Sequence, residues 1–288
     1  MGGIRRSNTI NIIIVSITLL SLAAFVVFGL GSIDRSNYSP FLPTAETGGI
    51  PLFLQACALM FVAYTGYGRI ATMGEEVREP RRTIPRAIIA TLVTTMLVYM
   101  AVGFVGVGIL GASALSDAAE TSAAPLEVAA QGLGIAGIPQ LVAFGAVTAM
   151  LGVLLNLMLG LSRVLLAMGR RRDMPPIVAR LNQTQTTPYV AVLVIAALIG
   201  ALVLIGNVRT TWSFSAFTVL IYYSLTNLSA LQLKAEERLY PRWVAILGLS
   251  ACLFLAFWVD VEIWLVGLGL LAAGLLWQQI AHRLFDAA

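Results

Sequence analysis

Charge is what this sequence has least of. Only 11% of its 288 residues are charged and 59% are hydrophobic, which excludes a water-soluble globule, because that much apolar surface can be buried only in lipid. Histidine occurs once, as His282 near the C-terminus. That excludes His-clustered metal sites and any catalytic apparatus built on an internal histidine. The two cysteines, Cys57 and Cys252, sit inside apolar runs and read as small hydrophobes, with no disulfide framework around them. Paired carboxylates within an apolar run, an HExxH helix and a phosphate-binding glycine loop with lysine are all absent. Neither an intramembrane enzyme nor a nucleotide-driven machine is indicated, and no metal or cofactor is expected. The net charge of +4 does not point to nucleic acid, because the basic residues fall in short loops between apolar runs.

What the chain does have is long apolar runs. A span needs about 20 apolar residues, and about eight such runs occur, near 9–31, 51–73, 86–111, 139–168, 189–206, 212–233, 241–259 and 262–281. None alternates as an outer-membrane strand would, so the expected fold is all-α, a polytopic transmembrane helical bundle. The first run, Thr9–Leu30, is too long for a signal peptide and lacks a small-residue cleavage site, so it reads as a span. Of the 18 basic residues, only Arg35 and Arg209 fall in the alternate set of loops. The positive-inside rule then puts both termini in the cytoplasm, together with the loops 74–86 and 169–188. The segment 112–138 has no Lys or Arg and is expected outside, with Pro125 opening a short helix. Trp212, Trp243, Trp258, Trp264 and Trp277 fall near span ends, where the ring suits the headgroup layer.

One run is interrupted. Residues 52–86 begin as a span, lose apolar character at Tyr64-Thr65-Gly66-Tyr67-Gly68, and pass into a dense charged loop, EEVREPRR. Glycine lets the backbone leave helical angles, and such backbone is tolerated at membrane depth only where it faces protein or a water-filled cavity. Gly-interrupted spans form the binding sites of many secondary transporters; close helix packing also recruits glycine. Packing is the expected role of Gly103, Gly106 and Gly108 and of Gly145, Gly152 and Gly160. Among polar residues inside the runs, Ser and Thr usually bond their own helix, whereas Asn156 carries an amide that wants several partners. Counted from Pro51, Arg69 lies about 27 Å along a continuous helix, where it can snorkel to the headgroups. If the helix is broken at Gly66–Gly68, Arg69 instead pairs with Glu75 or Glu76 as a gate.

Phe61-x-Ala63-Tyr64-x-Gly66-Tyr67 with the run from Ala71 through Gly74-Glu75-Glu76-Val77-Arg78-Glu79-Pro80-Arg81-Arg82 to Arg86 resembles the sixth span and following loop of the amino acid/polyamine/organocation permease superfamily. Asn156 through Ser162-Arg163 to Pro175 resembles its eighth span, and Thr187-Pro188-Tyr189 the start of its ninth. The resemblance implies a transporter fold of two inverted five-helix repeats, of which this chain, a single transmembrane transporter domain, holds spans five to twelve, N-terminally incomplete relative to the family. It implies substrate binding by Val62, Ala63, Tyr64, Thr65, Gly66, Tyr67, Gly68 and Asn156, with Ser162 on the same span as Asn156. Gating falls to Arg69, Glu75 and Glu76, and the external helix of 112–138 covers the vestibule. The chain departs from the family in having Val62 where many members have an aromatic, and Gly68 where many have an acid. The implied function is secondary active transport of amino acids or related amines across the cytoplasmic membrane by alternating access, with the coupling ion, H+ or Na+, left open. Its partners are then the small-molecule substrate and the lipid bilayer. The alternative is a non-transporting membrane fragment or scaffold subunit.

Overall fold

The structure is a computed structural model that describes residues 2–41, 48–67, 77–122, 124–182, 187–205 and 208–285. Among these residues it is helical throughout: α1 (Gly2–Gly29), α2 (Gly49–Met60), α3 (Pro80–Leu110), α4 (Ala112–Thr121), α5 (Pro125–Gln131), α6 (Ile138–Arg170), α7 (Tyr189–Ile205), α8 (Val208–Leu231), α9 (Arg242–Phe257) and α10 (Val261–Phe285), with short 3-10 turns between them. Each of the eight apolar runs contains a helix. Five segments are long and apolar enough to cross a membrane: Thr9–Ser32, Pro80–Leu110, Ile138–Arg170, Thr210–Leu231 and Val261–Ala281. Gly49–Tyr64, Tyr189–Leu204 and Arg242–Phe257 are apolar but shorter. At 1.5 Å per residue each covers about 24 Å of a hydrocarbon layer about 30 Å thick. Gly49–Tyr64 is short because the run expected over 51–73 leaves helical geometry at its middle.

Two compact units divide the chain. The first comprises 1–39, 101–206 and 272–288, the second 40–100 and 207–271. In the first, α1 lies against α6, with α5 and α7 also on α6. Gly145 faces Ser21 and Gly152 faces Ile14 so closely that no Cβ would fit, which is how small residues let helix backbones approach where lipid offers no hydrophobic drive. Gly108 serves the same purpose against Ile33 and Tyr38, but Gly103 and Gly160 face open space; the packing expected of those two glycines is corrected. Phe25, Val105, Ala129, Ala130, Ile138 and Val142 form this unit's buried cluster. The turns after α1 cap the end of α3: Asp34 N–H and Asn37 Nδ2 donate to Gly108 O at 2.9 Å, and Tyr38 Oη to Phe104 O at 2.8 Å. The two bonds to Gly108 O satisfy a carbonyl that the helix end leaves orphaned, and the bond to Phe104 O adds to one inside the helix. The segment 112–138 carries two helices, α4 as well as α5, with Pro125 in the first turn of α5 and Gly132 at its end. α4 was not anticipated.

The second unit is built on α8 and α9, with α2 against both. Its core is Ala58, Phe217, Leu220, Tyr223, Cys252, Ala256, Val259 and Ile263, with Phe61, Tyr67 and Trp264 packed on it. Gly267 leaves room for the Phe217 ring, and Gly248 for the Asn227 amide. Below α8 the turn 234–238 is held by basic side chains: Arg238 Nε donates to Leu233 O at 2.7 Å, Arg242 to Leu231 O at 3.2 Å, and Arg81 to the Glu236 and Glu237 carbonyls at 3.4 and 3.3 Å. Cations suit a helix C-terminus because the unpaired carbonyls there carry partial negative charge. Arg81, from the charged stretch EEVREPRR, thus caps a neighbouring turn.

Candidate functional site

The interrupted span leaves helical geometry in the structure after Tyr64. α2 ends at Met60, one 3-10 turn covers Phe61–Tyr64, and Thr65 is extended at φ −88°, ψ 174°. Gly66 then takes φ +105°, a conformation that a Cβ disfavours and glycine adopts freely. An added Cβ at Gly66 would meet nothing within 4 Å, so the requirement for glycine is conformational and not steric.

Side chains brace the carbonyls where the helix stops, beside the backbone bonds that Phe61 N–H makes to Leu59 O and Thr65 N–H to Val62 O. Trp212 Nε1 donates to Leu59 O at 3.0 Å, Thr65 Oγ1 to Val62 O at 2.7 Å, and Tyr99 Oη to Ala63 O at 3.0 Å. The Tyr223 hydroxyl meets both the Tyr67 hydroxyl and the backbone at Gly66. Aromatic rings close around the same turn: Tyr64 lies edge-on to Tyr99 with centroids 5.3 Å apart, Phe61 edge-on to Tyr223 at 5.7 Å, and Tyr67 against Tyr223 at 5.4 Å. The turn is therefore fixed by groups from α8 and from residues 80–100 of α3, both in the second unit.

Beside it lies a cavity of about 220 Å³ lined by Ala63, Tyr64, Thr65, Gly66, Tyr67, Thr91, Leu92 and Thr95. Five of the eight residues expected at the site are on its wall. Val62 is half-buried and not on the wall. Gly68, Arg69, Glu75 and Glu76, the last three expected as a gate, lie outside the described residues. Asn156 belongs to the first unit, where it is exposed on α6 and its amide donates to Gly152 O at 2.9 Å and to Asn11 Oδ1 at 3.3 Å. It bridges two helices and is not among the cavity's lining residues. Ser162 is buried, but its hydroxyl goes to Leu159 O, one turn back on its own helix. Thr18, Thr148, Ser224 and Thr226 do likewise.

Three wall residues were missed by the sequence reading: Thr91, Leu92 and Thr95. Their signal was available, since threonines at i and i+4 inside an apolar run are polar groups on one helix face. The bond from Trp212 to Leu59 O was also not anticipated. Tryptophans near span ends read as interface anchors, yet three of them hold backbone carbonyls: Trp212 that of Leu59, Trp264 that of Ala256 at 2.6 Å and Trp277 that of Asp173 at 3.0 Å. Gln55, a polar residue of the half-helix, donates to Asp260 Oδ1 at 2.7 Å.

Comparison with known proteins shows the family. The sequence pattern of the amino acid permease family matches residues 1–282. An uncharacterised transporter of Mycobacterium tuberculosis (strain H37Rv) is 38% identical over 95% of this chain and 61% of its own length. A branched-chain amino acid permease of Bacillus subtilis is 25% identical over 92% of this chain and 58% of its own. Cationic amino acid transporter 5 of Arabidopsis thaliana is 27% identical over 86% and 42%. The chain thus spans about six tenths of the length of the mycobacterial relative, and less of the other two. It belongs to the amino acid permease family, as a multi-pass helical membrane protein.

Proposed function

We propose that this chain takes part in secondary active transport of amino acids or related amines by alternating access, and that the broken helix Gly49–Tyr64 with its cavity holds the substrate. The observation that carries this reading is the break itself: an extended Thr65 and a left-handed Gly66 opening onto a cavity of about 220 Å³. The C-terminal end of a helix carries partial negative charge, so the turn at Ala63–Tyr64 suits an ammonium group. Half-helices of this kind are common in transporters. The names of two relatives, a branched-chain amino acid permease and a cationic amino acid transporter, support amino acids as the class. Arg69, Glu75 and Glu76 are assigned to a gate, and Asn156 to the span neighbouring the site. The distribution of basic residues supports a cytoplasmic membrane location with both termini and the loops 74–86 and 169–188 inside, and with 112–138 outside.

The test is uptake. The full-length product of the gene, reconstituted in proteoliposomes, is expected to accumulate at least one radiolabelled amino acid or amine when a proton or sodium gradient is imposed, and the gradient that drives it identifies the ion. Absence of accumulation or exchange for a complete panel, in protein shown to be folded and inserted, would favour a non-transporting membrane subunit.

A further inference from the structure

Helix α3 carries Thr91, Thr95 and Tyr99 at intervals of four residues, and so on one face, each one turn from the next. All three are turned to the break. Thr91 and Thr95, with Leu92, line the cavity; Tyr99 holds the Ala63 carbonyl through its hydroxyl and stands edge-on to Tyr64. The Thr95 hydroxyl donates to Thr91 O at 2.8 Å and Leu92 O at 3.0 Å. Its proton is therefore engaged within the helix, and what it can offer a guest is an oxygen lone pair and a methyl group.

On the reading that the break is the substrate site, we propose that this face of α3 is the wall that sets substrate size and polarity, and that Tyr99 is a positioning residue that holds the Ala63 carbonyl in place. The wall chemistry is two threonines, one leucine and the flank of Tyr64. That combination suits an uncharged, partly aliphatic side chain, because methyl and ring surface reward apolar contact while a charge brought there must give up its hydration.

The experiment is a selectivity measurement on the full-length protein in proteoliposomes, with alanine, valine, leucine, phenylalanine and lysine as labelled solutes and rates normalised to inserted protein. Thr95→Phe fills the cavity and is expected to lower the leucine-to-alanine uptake ratio about tenfold, the scale at which pockets discriminate a methylene or more. Leu92→Ala enlarges the cavity and is expected to raise the phenylalanine-to-alanine ratio; it also serves as the readout if Thr95→Phe does not insert. Tyr99→Phe keeps the ring but removes one hydrogen bond, and is expected to raise KM about three- to tenfold for every solute with a smaller change in maximal rate. Ratios unchanged in both Thr95→Phe and Leu92→Ala, or a wild-type preference for lysine, would overturn the wall. An equal fall in rate and affinity in Tyr99→Phe would overturn its positioning role. The underlying site reading fails separately: a Gly66→Leu protein that transports normally removes it, whereas Gly66→Leu protein without uptake alongside unchanged ratios removes only the wall.

Discussion

The half-helix Gly49–Tyr64 and the unbroken α6 handle their backbone carbonyls in opposite ways. On α6, side chains that bond the backbone reach back along their own helix: Thr148 to Phe144 O, Asn156 to Gly152 O and Ser162 to Leu159 O. Those carbonyls are on the helix ladder already, so each such bond is redundant. At the end of α2, the bonds to Leu59 O and Ala63 O come from Trp212 and Tyr99, more than 30 residues away in sequence. Only Thr65 acts locally. The turn after α2 is held in shape from outside by neighbouring helices, whereas α6 would keep its form without its polar side chains. Preorganisation of this sort lets a site offer backbone groups to a ligand without reorganising them on binding.

The largest effect expected from breaking this contrast is at Gly66. Gly66→Leu forces a side chain into φ +105°, which costs on the order of 1–3 kcal/mol if the conformation is kept and remodels the cavity wall if it is not. Uptake should vanish while membrane abundance, read by immunoblot of the inserted fraction, stays near wild type. Next is Trp212→Phe, which keeps an aromatic ring but withdraws the donor from Leu59 O. Uptake affinity should weaken roughly fivefold, in line with one hydrogen bond of about 1 kcal/mol. Thr65→Val removes a bond within the turn itself and should cost about 1 kcal/mol or less, measurable as a small fall in thermal stability of the purified protein.

On α6 the same class of change should do little. Asn156→Leu loses an interhelical amide contact with Asn11, a loss of about 0.6 kcal/mol on the scale of membrane hydrogen bonds. Ser162→Ala should change the melting temperature least, because Leu159 O remains on the ladder. If Ser162→Ala proved as damaging as Thr65→Val, the distinction between a scaffolded and a self-sufficient helix would collapse.

The part of this contrast that was legible in the sequence is the part written in local chemistry. Tyr64-Thr65-Gly66-Tyr67-Gly68 interrupts an apolar run, and glycine is the residue that φ +105° selects. The eight apolar runs were legible because lipid demands unbroken apolar stretches of known length. What was not legible depends on which element lies beside which. Nothing near Trp212 in the sequence indicates that its indole will reach Leu59, and nothing near Tyr99 points to Ala63. Gly103 and Gly160 resemble Gly145 and Gly152 in sequence, yet only the latter pair faces a neighbour too close for a Cβ. The helix Ala112–Thr121 was missed for another reason: its alanines favour helix, but Ser, Asp and Thr among them read as loop. Asn156 has an exposed amide that bridges to Asn11, a partner its own stretch of sequence does not indicate.

The most direct test of the central claim is substrate binding at equilibrium, which separates the site from the transport cycle. Purified full-length protein in detergent or nanodiscs would be heated with and without each transported solute. The best solute is expected to raise the melting temperature of the wild-type protein in a concentration-dependent way and to leave that of Gly66→Leu unmoved. Equal stabilisation of both proteins at every concentration would contradict it, because the substrate would then be held somewhere other than the broken helix.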